Sequence, residues 1–173
     1  MDSAVVLRVR LRVPDTVALS AEDVLRRKMG YGPRVGGLRR EDWWRFEVET
    51  DDPARAAGRV ETWAARCTAL VNPNKHRARI EAVKDWPPGT TEAEVMILVR
   101  DREDVRARSM LGFLTDTLGA SDLRSLASGT LWILRPGAGE RDGRALAEEI
   151  AITRSRTSGL LANPHAQVVE VWA

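Results

Sequence analysis

One short stretch occurs twice in this chain, and the repetition limits what the chain can fold into. Residues 160–171 read LLANPHAQVVEV, and residues 69–83 read ALVNPNKHRARIEAV. In both places an apolar run meets Asn-Pro, and a short alternating segment follows. Proline lacks an N–H group and disfavours the helical conformation at the preceding residue, so each Asn-Pro predicts a helix end. Two such stops, each closing a similar run, predict a tandem repeat.

The elements around the two stops follow one order. In the first half we predict a strand over 5–13, a helix capped by Ser20 and ended by Gly30, a hairpin over 34–50 that turns at 40–42, a helix from Asp51 to the first Asn-Pro, and a strand over 77–83. In the second half we predict a strand over 94–100, a helix over 102–118, a hairpin around Gly129-Thr130, a helix from 142 to Leu161, and a strand over 168–171. Gly30 then matches Gly119, Trp44 matches Trp132, Asn72 matches Asn163 and Glu81 matches Glu170.

This β-α-β-β-α-β order is the ferredoxin-like pattern. We therefore predict an α+β fold of two tandem ferredoxin-like repeats, each with an antiparallel four-stranded sheet. The repeats are predicted at 1–84 and 92–173. Residues 85–91 hold two adjacent prolines and a glycine, which cannot continue a regular element, so they are the predicted linker.

The composition narrows the classes of protein to consider. Hydrophobic residues make up 43% of the 173 and charged residues 30%, which is typical of a globular protein rather than a disordered one. No apolar run approaches the ~20 residues that span a bilayer, and no signal peptide is recognisable at the N-terminus. The net charge of +2 is too small to indicate a nucleic-acid interface. We expect a cytoplasmic protein with neither nucleic acid nor a membrane as partner.

The open sheet faces of the two predicted repeats differ. In the first, Arg8, Arg10 and Arg12 share a face, and we predict that they pair with Glu47 and Glu49 across the sheet. Binding of a phosphate or of an acidic partner explains these arginines about as well. In the second, the matching face is apolar, and a patch of this kind usually marks a protein interface. We therefore predict that a second copy of the chain or a partner protein covers it. The predicted interface residues are Met96, Leu98, Leu131, Ile133, Val168 and Trp172.

No catalytic signature is recognisable in the sequence. Cys67, the single cysteine, lies on the apolar side of a predicted helix and is interpreted as a core thiol. His76 and His165 each follow an Asn-Pro, which suggests either a repeated binding position or, as we favour, polar residues entering a strand. The glycine-rich loop 136–143 lacks the lysine of a phosphate-binding motif and is interpreted as a connection. Trp44 and Trp132 are predicted core residues, whereas Trp43, Trp86 and Trp172 are candidate interface anchors.

A helix ending in Gly-Tyr-Gly at 30–32, and Leu-Leu-Ala-Asn-Pro before a Val-Val-Glu strand at 160–170, resemble the PurS family. PurS is the small subunit of formylglycinamide ribonucleotide amidotransferase, also called phosphoribosylformylglycinamidine synthase. The resemblance covers roughly 4–83 and 93–172, and residues 71–81 carry a weaker second match. Asn72, Pro73, Asn163 and Pro164 are then structural residues rather than ligands.

The resemblance implies a non-catalytic scaffold with no cofactor of its own. It implies a PurL-like synthetase and a PurQ-like glutaminase as partners, which bind ATP, Mg and glutamine, and a homodimer of the tandem chain that helps ammonia reach the substrate in purine biosynthesis. The family's Arg-x-Gly-Lys segment survives only as Arg39 in one half and Gly129 in the other, so Arg39 is a candidate partner contact. The alternatives are a PurS paralogue serving another amidotransferase, an ACT-like small-molecule-binding regulator, and an enzyme of the dimeric α+β barrel type.

Overall fold

A computed structural model describes residues 2–82 and 94–173. Over these residues the fold is α+β, with four helices and a six-stranded antiparallel sheet in the order β3-β1-β2-β5-β4-β6. The strands are β1 (Asp2–Leu11), β2 (Val35–Glu49), β3 (His76–Ala82), β4 (Val95–Asp101), β5 (Leu123–Pro136) and β6 (Gln167–Trp172). The helices are α1 (Thr16–Asp23), which continues into a π-helical turn at Val24–Lys28, α2 (Pro53–Arg66), α3 (Val105–Leu118) and α4 (Gly143–Ala151). No helix among the described residues is long and apolar enough to cross a membrane.

The two predicted hairpins are single strands, and this prediction was wrong. β2 runs through the expected turn at 40–42 for 15 residues, and β5 runs through Gly129 for 14. Tight hairpin turns need left-handed residues, and neither segment contains one. Glu41 instead continues the alternation and forms an ion pair with Arg8 on the neighbouring strand. The sheet therefore has six strands where two four-stranded sheets were expected.

Three helix boundaries also differ from the prediction, and neither Asn-Pro ends a helix. The helix expected to reach the first Asn-Pro ends at Arg66. The first helix begins after Asp15 rather than Ser20, because the Asp15 side chain accepts hydrogen bonds from the N–H groups of Val17 and Ala18. The last helix was expected to reach Leu161 but ends at Ala151. The chain beyond it is extended and turns back, with the Arg154 and Ser155 N–H groups donating to the Ser158 carbonyl.

The described chain forms two compact units. Unit 1 comprises residues 2–13, 41–82 and 103–129. Its sheet consists of β3, β1, the second part of β2 and the first part of β5, and it carries α2 and α3. The core has Leu7, Trp44 and Phe46 from the strands, Val60 from α2 and Leu114 from α3, all at most 1% exposed. The Phe46 and Trp63 rings stack at 6.2 Å between centroids.

Unit 2 comprises residues 14–40, 94–102 and 130–173. Its sheet consists of the first part of β2, the second part of β5, β4 and β6, and it carries α1 and α4. The core has Ile97 and Leu134 from the strands, Leu146 and Ile150 from α4, and Leu25 from the turn after α1, none of them exposed.

Each unit thus takes one helix from each half of the sequence: α2 with α3, and α4 with α1. The long strands explain the exchange, because a chain that enters and leaves an unbroken strand does so at opposite ends. The predicted repeats at 1–84 and 92–173 stay a prediction, and the compact units cut across their boundaries. The predicted linker at 85–91 lies outside the described residues.

Candidate functional site

The two Asn-Pro turns have the same hydrogen bonds. The side-chain oxygen of Asn72 accepts the Asn74 N–H (3.0 Å), and that of Asn163 accepts the His165 N–H (3.0 Å). Both asparagines therefore form Asx-turns, which local side-chain bonding to the backbone favours. The backbone N–H of Asn72 donates to His76 Nδ1, and that of Asn163 donates to Gln167 Oε1. The structural role of these asparagines stays a prediction.

Strand register determines which residues of the two halves are equivalent. Leu7 lies opposite Trp44 in β2, and Ile97 lies opposite Trp132 in β5, which is the register expected if the two tryptophans are equivalent. Both are core residues. The turns make His76 the equivalent of Gln167 rather than of His165.

The same register changes the predicted match of Glu81. Val6 lies opposite Glu81 and Met96 opposite Trp172, so Glu81 corresponds to Trp172 rather than to Glu170. Because His76 corresponds to Gln167 and not to His165, the two histidines do not form a repeated binding position.

The predicted apolar interface is mostly buried within the single chain. Met96 is 8% exposed, Leu98 and Ile133 1%, and Leu131 is not exposed, so these four residues need no partner to cover them. Val168 and Trp172, on β6, are half-buried. The interface prediction stays a prediction, and its most accessible residues are at the sheet edge. Of the candidate anchors, Trp43 is buried, and Trp86 lies outside the described residues.

Arg39 is on the surface of unit 2 and is held by one carboxylate. Its two terminal nitrogens donate to the two oxygens of Glu94 at 2.8 and 2.9 Å. About half of the Arg39 side chain remains accessible, since it is 52% exposed. A bidentate pair of this kind is geometrically specific and fixes the orientation of the guanidinium.

Arg34 and Tyr31 form a polar cluster in unit 2. Arg34 donates to Glu140 (2.7 Å) and to Glu149 (2.9 Å), and its guanidinium lies 5.8 Å from the centre of the Tyr31 ring. Hydrogen bonding to Glu140 raises the pKa of Arg34, and the same bond lowers the pKa of Glu140. Burial raises the pKa of Tyr31, and the Glu149 charge raises it further. These shifts keep Arg34 and Tyr31 protonated and Glu140 ionised, as expected of a structural tie.

The open face of unit 1 carries a row of cations on β1 and β3, which we call the arginine ladder. It consists of Arg8, Arg10, Arg12, Lys75, Arg77 and Arg79. Arg8 lies opposite Arg79, and Arg10 lies opposite Arg77. Like charges directly opposite each other on neighbouring strands are destabilising.

The predicted pairing of these arginines with Glu47 and Glu49 was wrong. Glu47 lies opposite Ala4, and Glu49 lies opposite Asp2, at the far end of β1. Arg8 instead forms a buried ion pair with Glu41 at 2.7 Å. Arg79 forms an ion pair with Glu81 at 2.8 Å.

Four ladder residues therefore have no carboxylate partner in the part of the chain that the structure describes. They are Arg10, Arg12, Lys75 and Arg77, and all four are exposed. Arg12 donates to a backbone oxygen, that of His76, at 2.9 Å. Such an unbalanced row of cations is a surface for an anionic group.

On the other face of β3, a groove of about 800 Å³ lies between this strand and α2. Alanines and a glycine of α2 form one wall, and Ala78 and Ile80 of β3 form the other; the α2 residues are Ala54, Ala57, Gly58, Ala64 and Ala65, with Glu61 among them. Val71 and Pro73 close one end. Small side chains on both walls leave room for the side chains of a bound segment.

The remaining candidates for chemistry have structural surroundings. Cys67 is buried, as predicted, and its sulfur lies 3.8 Å from the Met110 sulfur. His76 accepts an N–H through Nδ1, and His165 is exposed. Within residues 2–82 and 94–173 no group of three or more His, Cys, Asp or Glu could hold a metal ion.

Comparisons with protein-family models, with curated proteins and with solved structures found no match. The sequence resemblance to PurS and the geometry above are therefore what a functional proposal can use. The groove beside β3 was not predicted from the sequence. Its signal was the run of alanines and Gly58 over 54–65, which reads equally well as an ordinary helix.

Proposed function

We propose that the chain is a non-catalytic scaffold subunit of a glutamine-dependent phosphoribosylformylglycinamidine synthase. It would consist of two ferredoxin-like repeats of the PurS kind and would act in the cytoplasm, in purine biosynthesis. Its partners would be a PurL-like synthetase and a PurQ-like glutaminase. ATP, Mg and glutamine would bind to those subunits, and the scaffold would help ammonia pass between them.

The observation that carries the proposal is the identical hydrogen bonding of the two Asn-Pro turns. These turns lie in the segments that resemble PurS most closely, 160–170 and 71–81. In both, the asparagine side chain accepts the N–H two residues on, and its own N–H donates to the side chain four residues on. The matched geometry supports an origin of both segments from one ancestral unit.

The exchange of first helices supports the same proposal. α3 from the second half completes the core of unit 1, and the turn after α1 from the first half completes the core of unit 2. Exchange of an identical element between protomers is a common route to dimers. A fused pair of repeats that exchanged such an element would have this arrangement within one chain. The further homodimer of the tandem chain remains part of the proposal.

A reconstitution experiment tests the function. The chain, the synthetase and the glutaminase of the same cell are purified separately and mixed with glutamine and Mg-ADP, and complex formation is followed by size exclusion with light scattering. Product formation is then measured with glutamine and, as the matched control, with ammonium chloride. A scaffold that transfers ammonia should raise the glutamine-dependent rate and leave the ammonium-dependent rate nearly unchanged. Absence of a complex, with equal rates with and without the chain, would overturn the proposal.

The alternatives predict other results in the same assays. A repurposed PurS paralogue would form its complex with a different amidotransferase. An ACT-like regulator would bind an amino acid or nucleotide saturably as the isolated chain, which calorimetry detects. Sedimentation of the unmodified chain tests the homodimer, since acidic substitutions at Leu98 or Ile133 would bury a charge and unfold unit 2.

A further inference from the structure

The backbone of β3 directs part of its hydrogen-bonding groups away from the sheet. The Arg12 N–H donates to the Lys75 carbonyl at 2.8 Å, so these two residues form a hydrogen-bonded pair. In antiparallel strands such pairs recur at every second residue, so Arg77 and Arg79 also bond towards β1. The N–H and carbonyl groups of Ala78 and Ile80 therefore point to the outer side, where β3 is the last strand of the sheet among the described residues. An unpaired strand edge is a template for another strand.

A strand added at this edge would have one face in the groove. Ala78 and Ile80 point their side chains towards α2 and line the groove together with Ala57 and Gly58. Every second side chain of an added strand would enter this space, because side chains alternate between the two faces. The walls favour apolar side chains of small or medium size. Glu61 is the one charged residue among the described residues that line the groove.

The other face of the added strand would meet the arginine ladder. Arg77 is exposed, and the Arg79 side chain is 72% exposed. The neighbouring acid, Glu81, is already paired with Arg79, so the outer end of the ladder keeps an excess of positive charge. Acidic side chains at alternate positions would supply the missing carboxylates, and opposite charges across neighbouring strands are stabilising.

We propose that the edge of β3 binds an extended segment of a partner protein that alternates apolar and acidic residues. The segment adds as a strand, with its apolar side chains in the α2 groove and its acidic side chains against Arg77 and Arg79. Strand addition of this kind takes affinity from the main chain and specificity from alternate side chains. The proposal does not rest on the function proposed above.

A second copy of this chain does not fit the same edge. If β3 paired with β3 of another copy, Arg77 and Arg79 of one copy would lie opposite the arginines of the other, and like charges would oppose each other. Charged residues on edge strands are a common defence against such self-pairing. The cations therefore exclude the chain itself and select an acidic segment.

The corresponding edge of unit 2 lacks these features. Val168 and Glu170 of β6 occupy the positions of Arg77 and Arg79, since they lie opposite Arg100 and Leu98 as the arginines lie opposite Arg10 and Arg8. On α4, Ala147 is fully buried, whereas its equivalent Ala57 is half-buried and lines the groove. Unit 2 thus serves as an internal control.

The binding experiment uses fluorescein-labelled peptides with the full chain. Anisotropy is measured for a peptide of five Glu-Val repeats, kept at a concentration where it is monomeric, and for Gln-Val and Lys-Val peptides of the same length. A labelled single-stranded thymidine oligonucleotide of similar length is the test for a nucleic-acid partner. We expect Glu-Val to bind about tenfold or more tightly than Gln-Val, and Lys-Val not to bind. Equal binding of Glu-Val and Gln-Val, or tighter binding of the oligonucleotide, would overturn the proposal.

Matched variants locate the binding. Arg77→Glu with Arg79→Glu should weaken Glu-Val binding about tenfold or more. Arg154→Glu with Arg156→Glu makes the same charge change on exposed residues of unit 2 and should have little effect. An equal loss in the two double variants would mean that net charge alone drives binding, and the proposal would fail.

The groove has its own pair of variants. Within residues 2–82 and 94–173, no atom lies within 4 Å of the place that a Cβ would take on Gly58 of α2 or on Gly112 of α3, so both positions accept a larger residue. Gly58→Leu should fill the groove and abolish binding, and Gly112→Leu should bind like the unmodified chain. Both should fold at least as stably, because glycine is a poor helix former. Unimpaired binding to a folded Gly58→Leu chain would exclude the groove.

Hydrogen exchange distinguishes strand addition from contact through charge alone. The Ala78 and Ile80 amides point outwards and should exchange more slowly by about tenfold or more when the Glu-Val peptide saturates the site. The Arg77 and Arg79 amides already bond to β1 and should change little. Binding without protection at Ala78 and Ile80 would contradict an added strand.

Discussion

Units 1 and 2 have corresponding strands and helices, but they differ in the residues on the sheet face that carries no helices. In unit 1 the buried position 8 holds an arginine, which pairs with Glu41. In unit 2 the equivalent position is Leu98, which lies opposite Leu131. Both sites are almost fully buried. The same place in the fold is thus filled by an ion pair in one unit and by an apolar contact in the other.

The difference shows which parts of a repeated unit are fixed by folding. The inward faces of both sheets remain apolar, with Leu7 and Ile97 at equivalent positions, since they must bury a helix. The sheet face without helices and the outer strand differ between the units, although the centre of that face is almost fully buried in both. In unit 1 they have accumulated cations, which cost stability where like charges are opposed, and residues that violate a local rule are expected at functional surfaces.

The largest expected effect follows from breaking the buried ion pair of unit 1. Glu41→Ala leaves the Arg8 guanidinium buried without its carboxylate and should lower the free energy of unfolding by about 3–5 kcal/mol. Denaturant unfolding followed by tryptophan fluorescence measures it. Arg8→Leu with Glu41→Ala makes the position resemble unit 2 and should recover most of that loss. A cost below about 1 kcal/mol for Glu41→Ala would mean that the pair behaves as a solvated surface pair.

How far the sequence predicts this fold depends on whether the signal is local. The alternation of apolar and polar residues predicted the bounds of β1, β4 and β6 to within a few residues, because one buried face imposes a period of two. The prediction of two hairpins failed because Arg40-Glu41-Asp42 looks like a polar turn. Its backbone continues as a strand because Glu41 meets Arg8, which is a partner 33 residues away. A single sequence does not reveal that contact.

The candidate site shows the same limit. The arginines of β1 and the second Asn-Pro segment were visible as patterns, and the cross-strand partners of those arginines were not. Register decides that Arg10 faces Arg77 rather than a glutamate. A one-residue change of register would move every side chain to the other face, so no composition argument substitutes for it.

The second prediction concerns the segment where α4 is shorter than α2. Gly159 has φ +74°, and an added Cβ would overlap the Ile152 carbonyl oxygen in the backbone of unit 2. Gly159→Ala should therefore lower the free energy of unfolding by about 3 kcal/mol, combining left-handed strain with a backbone clash. Gly139→Ala is the matched control, since its φ is +101° and no atom is near. It should cost only about 1–2 kcal/mol. Equal costs for the two variants would show that the backbone of 152–159 adapts.

The third prediction tests whether the two Asn-Pro turns are energetically equivalent as well as geometrically alike. Asn72→Ala and Asn163→Ala each remove one side-chain acceptor of a backbone N–H, and each should cost about 0.5–1.5 kcal/mol. The two costs should agree within about 0.5 kcal/mol, and the double variant should be additive because the sites share no partner. Asn74→Ala is the control. A much larger cost in one half would show that the turn has acquired an additional role there.

The smallest expected effect is the acid dependence of two ion pairs, an exposed one in unit 1 and a partly sheltered one in unit 2. Arg124 lowers the pKa of Glu49 in unit 1, and Arg34 lowers the pKa of Glu140 in unit 2, both from an ordinary value of 4.5. A carboxyl group whose pKa is lowered by folding contributes stability that is fully present above its unfolded pKa and is lost as the pH falls through the folded-state pKa. Arg34→Ala and Arg124→Ala should therefore each reduce the loss of the free energy of unfolding as the pH falls below 4.5. Above neutrality, the pH dependence of the free energy of unfolding should change little in either variant.

Salt separates the two pairs. The Glu49 and Arg124 side chains are about half exposed (52% and 50%), whereas Glu140 is only 12% exposed and Arg34 also holds Glu149. Exposed pairs are screened more strongly than sheltered ones, so 1 M NaCl should remove the acid dependence due to Arg124 and leave part of that due to Arg34. Denaturant unfolding between pH 3 and 7, at low and high salt, measures both. If the two arginine variants respond identically to salt, the carboxylates around Arg34 stabilise unit 2 no more than an ordinary surface ion pair does. The contrast between the units would then be confined to the sheet face.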